Sequence, residues 1–314
     1  MFMAKSKKNR VLEIFYTAFS LYCKHLKEFL SYMTFPIIGQ VAGIVVIFVL
    51  NYHFLVNLDL IQKYLPVFIK PAVIITSVII LLLPGLCIML KAFWEYLVAY
   101  GAINSMAENM IKSKKIYDIE AHTLVISHRK FAFAGLWLLY SLFIFLFINP
   151  LLWILGGLVF VFFALVFQVF VLEPEKNIFM CFHKSFILVK QKYFETLLML
   201  LLISCLTYFI IPELIRFLCS ISGIVTIFAN LIQNIVVLNL QIYIDKLNEI
   251  LLTVNQPTLT VIDISKLIVL SFIGWIISSY LLPLRTLACY LWYKSLNKKY
   301  LAKFKKNKTI DVQV

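Results

Sequence analysis

Charged residues are scarce in this chain, and acidic residues are the scarcest of them. Only 14% of the 314 residues are charged, and only 15 residues are acidic. In an average soluble domain, about a quarter of the residues are charged. Together with a hydrophobic fraction of 62% and a mean hydropathy of +0.94, this shortage excludes a soluble core and predicts a single membrane domain.

The sequence also lacks the short motifs of catalytic and metal-binding sites. Its six cysteines form no CxxC pair, and its five histidines show no HExxH or other metal-ligand spacing. It contains no GxSxG, Walker or GxGxxG sequence, and Ser185 has no His–Asp pair nearby in sequence. We therefore expect Ser185 to be a polar surface residue, and we expect no cofactor, no metal and no enzymatic activity.

The chain does contain a repeated alternation of apolar runs and cationic segments. In the clearest example, the uncharged run Leu151–Leu172 ends at Glu173-Pro174-Glu175-Lys176, and a cationic stretch, 177–192, leads to a second apolar run. About 20 apolar residues suffice to span a bilayer. Lysines beside phenylalanines on one helix are typical of the membrane interface. The pattern predicts a spanning helix, an exit, a helix on the membrane surface and re-entry.

The whole chain then predicts an all-α polytopic membrane protein with six transmembrane helices in three hairpins. The predicted spans cover about 35–56, 71–100, 131–148, 151–172, 194–212 and 267–290. A cytoplasmic amphipathic helix precedes each hairpin, at 10–31, 118–130 and 177–192. The spans 131–148 and 151–172 are joined so tightly by Asn149-Pro150 that they must form a hairpin.

The predicted domain organisation has three parts. Residues 1–34 form a basic N-terminus with an interfacial helix, 35–292 form the membrane domain, and 293–314 form a basic cytoplasmic tail. In the interfacial helix, polar residues recur every three or four positions and leave an apolar face of Leu12, Phe15, Phe19, Tyr22, Leu26 and Phe29. Segment 220–252 is predicted as an external amphipathic helix, with an extra or re-entrant span as the alternative.

The distribution of lysine and arginine predicts the orientation. With both termini in the cytoplasm, the cytoplasmic segments hold six, five, four and eight basic residues, against five in the external segments. Basic residues concentrate on the cytoplasmic side of membrane proteins. We therefore predict the inner (cytoplasmic) membrane as the location. The net charge of +14 then points to anionic lipid headgroups rather than nucleic acid as partners.

Three stretches resemble a known group of bacterial membrane proteins. They are the link from Tyr100-Gly101-Ala102 through Ala121 to Arg129, the segment Val171-Leu172-Glu173 with Phe182–Lys190, and the closing Leu291-Trp292-Tyr293. Their layout resembles that of poorly characterised six-span proteins, which include YciC-like proteins and the membrane domain fused to some glycerophosphodiester phosphodiesterases. The resemblance implies a six-span fold over nearly the whole chain. It implies no phosphodiesterase activity, because no such catalytic domain is present.

Two ionisable residues, Lys91 and Glu95, lie four apart near the inner end of the second span. The favoured interpretation is that Lys91 extends to the interface and pairs with Glu95. Arg285 follows Pro283 at the inner edge of the sixth span, and Pro84 precedes Lys91. Because prolines kink helices, the alternative is a cytoplasm-facing crevice between the second and sixth spans that binds a solute or a lipid.

The remaining candidate residues surround the exit of the fourth span. Glu173 and Glu175 are interpreted as favouring the start of the next helix through its dipole, and the alternative for Glu173 is a pair with a lysine of the surface helices. Lys184 and Lys190 lie beside phenylalanines and are candidate contacts for anionic lipid. We therefore expect a non-enzymatic, lipid-associated or scaffolding membrane module with a possible cytoplasmic protein partner. The alternatives are a small-solute or lipid transporter and, third, a lipid-acting enzyme.

Overall fold

The computed structural model describes residues 10–64, 70–113, 119–144 and 150–311. Every regular element in these ranges is a helix, which confirms the predicted all-α class. The first seven α-helices are α1 (Arg10–Lys24), α2 (Leu26–Val56), α3 (Leu58–Lys63), α4 (Lys70–Ser113), α5 (Ile119–Ser127), α6 (Lys130–Ile144) and α7 (Trp153–Phe162). The next seven are α8 (Val166–Leu172), α9 (Ile178–Lys190), α10 (Tyr193–Ser204), α11 (Ile211–Ile221), α12 (Ile224–Thr253), α13 (Val261–Tyr280) and α14 (Leu282–Asp311).

Five helical stretches are long and apolar enough to cross a membrane. They are Leu26–Val56, Pro71–Ile111, Trp153–Leu172, Tyr193–Ile221 and Val261–Lys298, and they include five of the six predicted spans. This pattern is that of a multi-pass membrane protein. The predicted third span coincides with α6, a shorter apolar helix. Residues 145–148 of that span, and Asn149 of its hairpin turn, lie outside the described residues.

The long helices extend beyond the predicted span boundaries. α2 begins at Leu26 rather than near residue 35, only two residues after the end of α1. Backbone hydrogen bonds bridge the junction, from the His25 N–H to Leu21 (3.2 Å) and from the Phe29 N–H to His25 (3.1 Å). The interfacial helix predicted over 10–31 is therefore divided at His25, and its last residues begin the first long apolar helix.

The apolar face predicted for the first helix is also divided. The buried residues of α1 are Val11, Ile14, Ala18 and Tyr22, whereas the predicted Leu12 and Phe19 are exposed. α1 packs against α14 and α10. The buried stripe is therefore the one with alanine at its centre, because a small residue lets two helices approach closely.

The chain divides into two compact units. The first contains residues 1–32, 97–207 and 281–314. Its core joins α8, α9, α10 and α14, and the Trp292 indole donates a buried hydrogen bond to the Thr196 hydroxyl (2.9 Å). At the far end of α4, Gly101 allows Ile126 of α5 to lie against the helix backbone.

The second unit contains residues 33–96 and 208–280. Its most extensive helix pair is α12 and α13, whose core contains Val225, Ala229 and Val269. α12 begins after Gly223, which has a left-handed φ of 78°. It forms a hairpin with α13, and the Asn248 side chain pairs with the backbone of Leu259 in the connection. The predicted helix over 220–252 is thus present, and its place relative to the membrane stays a prediction.

Candidate functional site at the end of α8

The carboxylate of Glu173 lies at the centre of a polar junction in the first unit. Glu173 is the C-cap residue of α8 and directly follows Leu172. Its Oε1 accepts hydrogen bonds from the Lys184 ammonium of α9 and the Tyr293 hydroxyl of α14. The side chains of Glu173 and Lys184 are only 13% and 17% exposed. One carboxylate therefore ties the end of a span to two other helices.

Further polar groups extend this junction. The Lys176 ammonium lies 3.7 Å from the second carboxylate oxygen of Glu173, and the Asn297 amide donates to the Tyr293 hydroxyl (3.0 Å). Charge-assisted hydrogen bonds to a carboxylate are about twice as strong as neutral ones. The junction therefore fixes the direction in which the chain leaves α8.

Arg129 also stabilises the end of α8. It lies between α5 and α6, and its guanidinium donates to the carbonyl oxygens of Phe170 (2.8 Å) and Lys176 (3.0 Å). Its Cζ also lies 3.9 Å from the centroid of the Phe170 ring. Carbonyls at a helix C-terminus have no partner inside the helix, so Arg129 supplies one where α8 ends.

Helix α9 is packed into the protein. The Oδ1 atom of Asn177 caps its first turn by accepting the Met180 N–H (2.9 Å), so the predicted start at 177 is close to the observed one. Five residues of the helix are buried: Cys181, Phe182, Ser185, Leu188 and Val189. α9 contacts α8, α7, α14, α10 and α6.

Ser185 is a buried structural residue, and the predicted polar surface position is wrong. Its hydroxyl donates to the Phe162 carbonyl (2.8 Å) and accepts the Leu165 N–H (3.2 Å). These two backbone groups flank the break between α7 and α8, where the helical hydrogen-bond pattern is interrupted. Ser185 therefore supplies hydrogen-bond partners at a break that would otherwise leave both groups unsatisfied.

Cys181 lies on the same buried face. Burial raises the pKa of the Cys181 thiol to about 11, while the Arg129 cation acts in the opposite direction. A thiol with this pKa is protonated at neutral pH, so Cys181 behaves as a small apolar residue rather than a nucleophile.

The outer side of α9 has a different composition. Phe179 is 73% exposed and Met180 is 52% exposed. Lys190 is also exposed, and its ammonium lies 5.8 Å from the Phe186 ring centroid. Lys184 and Lys190 were both predicted to contact lipid, but the structure gives them different environments. Lys184 pairs inward with Glu173, and Lys190 points away from the core.

The favoured interpretation of Glu173 was a dipole contribution to the next helix, and it is wrong. The carboxylate is used by Lys184 and Tyr293 instead, which is the lysine pairing considered as the alternative. Glu175 is exposed. The partners Tyr293 and Arg129 were not predicted as site residues, and the only sequence signal for Tyr293 was the aromatic Trp292-Tyr293 pair beside the basic tail.

Lys91 and Glu95 do not form the predicted salt bridge. Within the described residues no ion pair joins them. Lys91 is exposed and Glu95 is half-buried. Both residues belong to the second unit and Arg285 belongs to the first. The crevice that would combine them stays a prediction.

Arg285 and His122 take part in the packing of the first unit. Burial raises the pKa of Tyr22 in α1 to about 12, and the cation of the half-buried Arg285 opposes this rise, so Arg285 lies within electrostatic reach of α1. His122 is buried, with Nδ1 3.0 Å from the Ser105 hydroxyl. His122 is therefore a packing residue of the first unit, because α5 places this side chain inward.

No group of three or more His, Cys, Asp or Glu side chains that could hold a metal ion occurs in the part of the chain that the structure describes. No protein-family model, curated protein or solved structure matches this chain. The resemblance to YciC-like proteins therefore stays a prediction.

Proposed function

We propose that this protein is a non-enzymatic, lipid-associated membrane module of the inner (cytoplasmic) membrane, with six spans in three hairpins and both termini in the cytoplasm. The five long apolar helices support most of this arrangement. For the remaining span, four apolar residues, Phe145 to Ile148, follow α6 in the sequence. The excess of basic residues in the predicted inner segments supports the orientation.

The outer side of α9 is the observation that carries the proposed lipid association. Phe179 and Met180 are exposed there, and Lys190 lies at the other end of the helix. Exposed aromatic and apolar side chains with lysine nearby bind the boundary between headgroups and acyl chains. Because Glu173, Ser185 and Asn177 hold the helix in place, these side chains are presented in a fixed direction.

The rigid attachment of α9 also supports a scaffolding role. The ion pair of Lys184 with Glu173 is internal, so Lys184 serves the fold in this proposal. Lys190 provides the contact with anionic lipid. A cytoplasmic protein partner would bind the same side of the molecule.

Native mass spectrometry of the full chain, extracted with its lipids, tests the proposal. We expect selective retention of anionic phospholipid by the wild type and its loss in a Lys190→Gln, Phe179→Ser variant. Lys246→Gln is the matched control, because Lys246 is exposed on α12, in a segment predicted to be external. Lipid retention that is equally low in all three proteins, and no higher than in an unrelated six-span protein, would overturn the lipid-associated function.

A further inference from the structure

A second cationic surface occurs where α1 meets α2. An open groove of about 730 Å³ is lined there by Cys23, Lys24, Leu26, Lys27, Glu28, Leu30 and Ser31. Binding sites for small molecules have volumes of about 300–1,000 Å³. We infer that this groove binds the headgroup of an anionic phospholipid, with its phosphate held by Lys24 and Lys27. The inference rests on the proposed lipid association and assigns a specific site to it.

The groove contains two lysines and one acidic residue, so its formal charge is positive. Lys24 and Lys27 are both exposed, and no ion pair among the described residues reaches either of them. Glu28, the acidic residue of the groove, has its Oε1 atom 3.7 Å from Nδ1 of His25. Lys24 is the last residue of α1, Lys27 lies in the first turn of α2, and both line the groove. They can therefore contact one phosphate group together.

The apolar part of the groove identifies the ligand as a lipid rather than free phosphate. Leu26 is 39% exposed and Leu30 is 36% exposed, one turn apart on α2, which also contains Lys27. Leu26 is the first residue of a long apolar helix that can cross a membrane. Lys24 and Lys27 thus lie next to the start of this helix, at the level of the headgroups, and Leu30 continues in the direction of the acyl chains.

On the side opposite the groove, an aromatic contact joins α1 to α2, so the groove has a defined shape. Tyr22 and Phe29 are buried and stack with ring centroids 5.9 Å apart and an interplanar angle of 15°. This contact spans the junction at His25 and fixes α1 relative to the start of α2. The lysines and leucines on the opposite side are then available without any rearrangement of the core.

Two variants of the full chain in nanodiscs test the inference. The probes are phosphatidylglycerol, phosphatidylethanolamine with the same acyl chains, and inorganic phosphate. We expect the wild type to prefer phosphatidylglycerol and a Lys24→Gln, Lys27→Gln variant to bind it roughly thirtyfold more weakly, since each lysine near the surface contributes about one factor of five. A Lys24→Arg, Lys27→Arg variant should retain the binding, which separates loss of charge from loss of folding.

The remaining outcomes distinguish this site from the proposed function. If binding is unchanged in the glutamine variant and lost in Lys190→Gln, the groove site is overturned while lipid association stands. If inorganic phosphate displaces the lipid, or if Leu26→Ser with Leu30→Ser has no effect, the groove is not a phospholipid site. If no protein prefers phosphatidylglycerol, both proposals are overturned.

Discussion

The Tyr293 hydroxyl donates a hydrogen bond to the Glu173 carboxylate across 120 residues of sequence. The same oxygen accepts the Lys184 ammonium. Through this carboxylate, the end of α8 is joined to α9 and α14, the two helices that flank it in the first unit. Lys184 is therefore not available for contact with lipid. Substitutions at this junction test how α9 is held in place.

Removing the Glu173 charge should destabilise the protein. Glu173→Gln leaves the half-buried Lys184 without its main counter-ion, and breaking a pair of this kind costs about 3 kcal/mol. Tyr293→Phe removes one hydrogen bond and should cost about 1 kcal/mol. The measurement is the free energy of unfolding in detergent micelles. Glu173→Gln combined with Lys184→Gln should recover part of the loss, because both charges are then absent.

Glu175→Gln is the matched control for this series. Glu175 is exposed and lies two residues from Glu173, so its substitution should change the unfolding free energy by less than about 0.5 kcal/mol. Equal losses in Glu173→Gln and Glu175→Gln would show that the junction contributes nothing specific to stability.

Local sequence signals were sufficient to predict α9 but not its surroundings. The cationic amphipathic stretch 177–192 predicted a helix, and the helix occupies Ile178–Lys190. An N-cap acts within one turn, so the sequence contains it. The break at residues 163–165 depends on the Ser185 hydroxyl about 20 residues away. No periodicity within residues 151–172 reveals such a partner.

In the candidate site, too, the sequence indicated a partner that is near in the chain but not one that is distant. A lysine partner for Glu173 could be considered because Lys184 is only 11 residues away. Tyr293 could not be considered, because its approach depends on how α14 packs on α9. The prediction of the buried face of α1 failed for a similar reason. Several apolar stripes were available on that helix, and packing against α14 selected the stripe with Ala18.

Replacing Ser185 should destabilise the break between α7 and α8. Ser185→Ala leaves the Phe162 carbonyl and the Leu165 N–H without their shared partner, at a cost of about 2 kcal/mol. The readout is the thermal unfolding midpoint in detergent. Ser20→Ala is the control, since Ser20 is exposed on α1 and should leave the midpoint unchanged. A midpoint for Ser185→Ala within error of the wild type would contradict the structural role.

Glycine at position 43 is required by the close approach of α2 and α4. A Cβ atom there would lie 2.8 Å from the Gly85 carbonyl oxygen, and one at Gly85 would lie 2.7 Å from the Gly43 carbonyl oxygen. Small residues allow such contacts between membrane helices. Gly43→Ala should therefore cost about 1–3 kcal/mol through overpacking, measured as unfolding free energy in micelles.

Gly157 in α7 provides the matched control for Gly43. A Cβ atom at Gly157 would meet nothing within 4 Å, so Gly157→Ala should be neutral or stabilising by up to about 1 kcal/mol, because alanine favours the helix. Destabilisation by Gly157→Ala as large as that by Gly43→Ala would show that helix contact is not the cause.

The buried Cys181 thiol should resist alkylation. Its pKa is raised from 9.0 to about 11 by burial, so the reactive thiolate is scarce in the folded protein at pH 8. Cys23 is exposed and should react first with iodoacetamide, as followed by peptide mass spectrometry. Because the folded pKa is the higher one, this thiol's contribution to stability is complete below pH 9 and is lost as the pH rises towards 11. Equal alkylation rates at pH 8 would contradict the buried position.

Cysteine labelling in intact cells should establish the orientation of the chain. The starting variant has its six native cysteines replaced, and single cysteines are then introduced as Gln256→Cys or His128→Cys. Gln256 is exposed in the connection between α12 and α13, and His128 is exposed between α5 and α6. With six spans and cytoplasmic termini, a membrane-impermeant maleimide should label position 256 from outside and position 128 only after permeabilisation. If α12 crosses the membrane, position 256 becomes inaccessible from outside. In that case the basic tail would have to lie outside, against the distribution of lysine and arginine, and the six-span arrangement would fail.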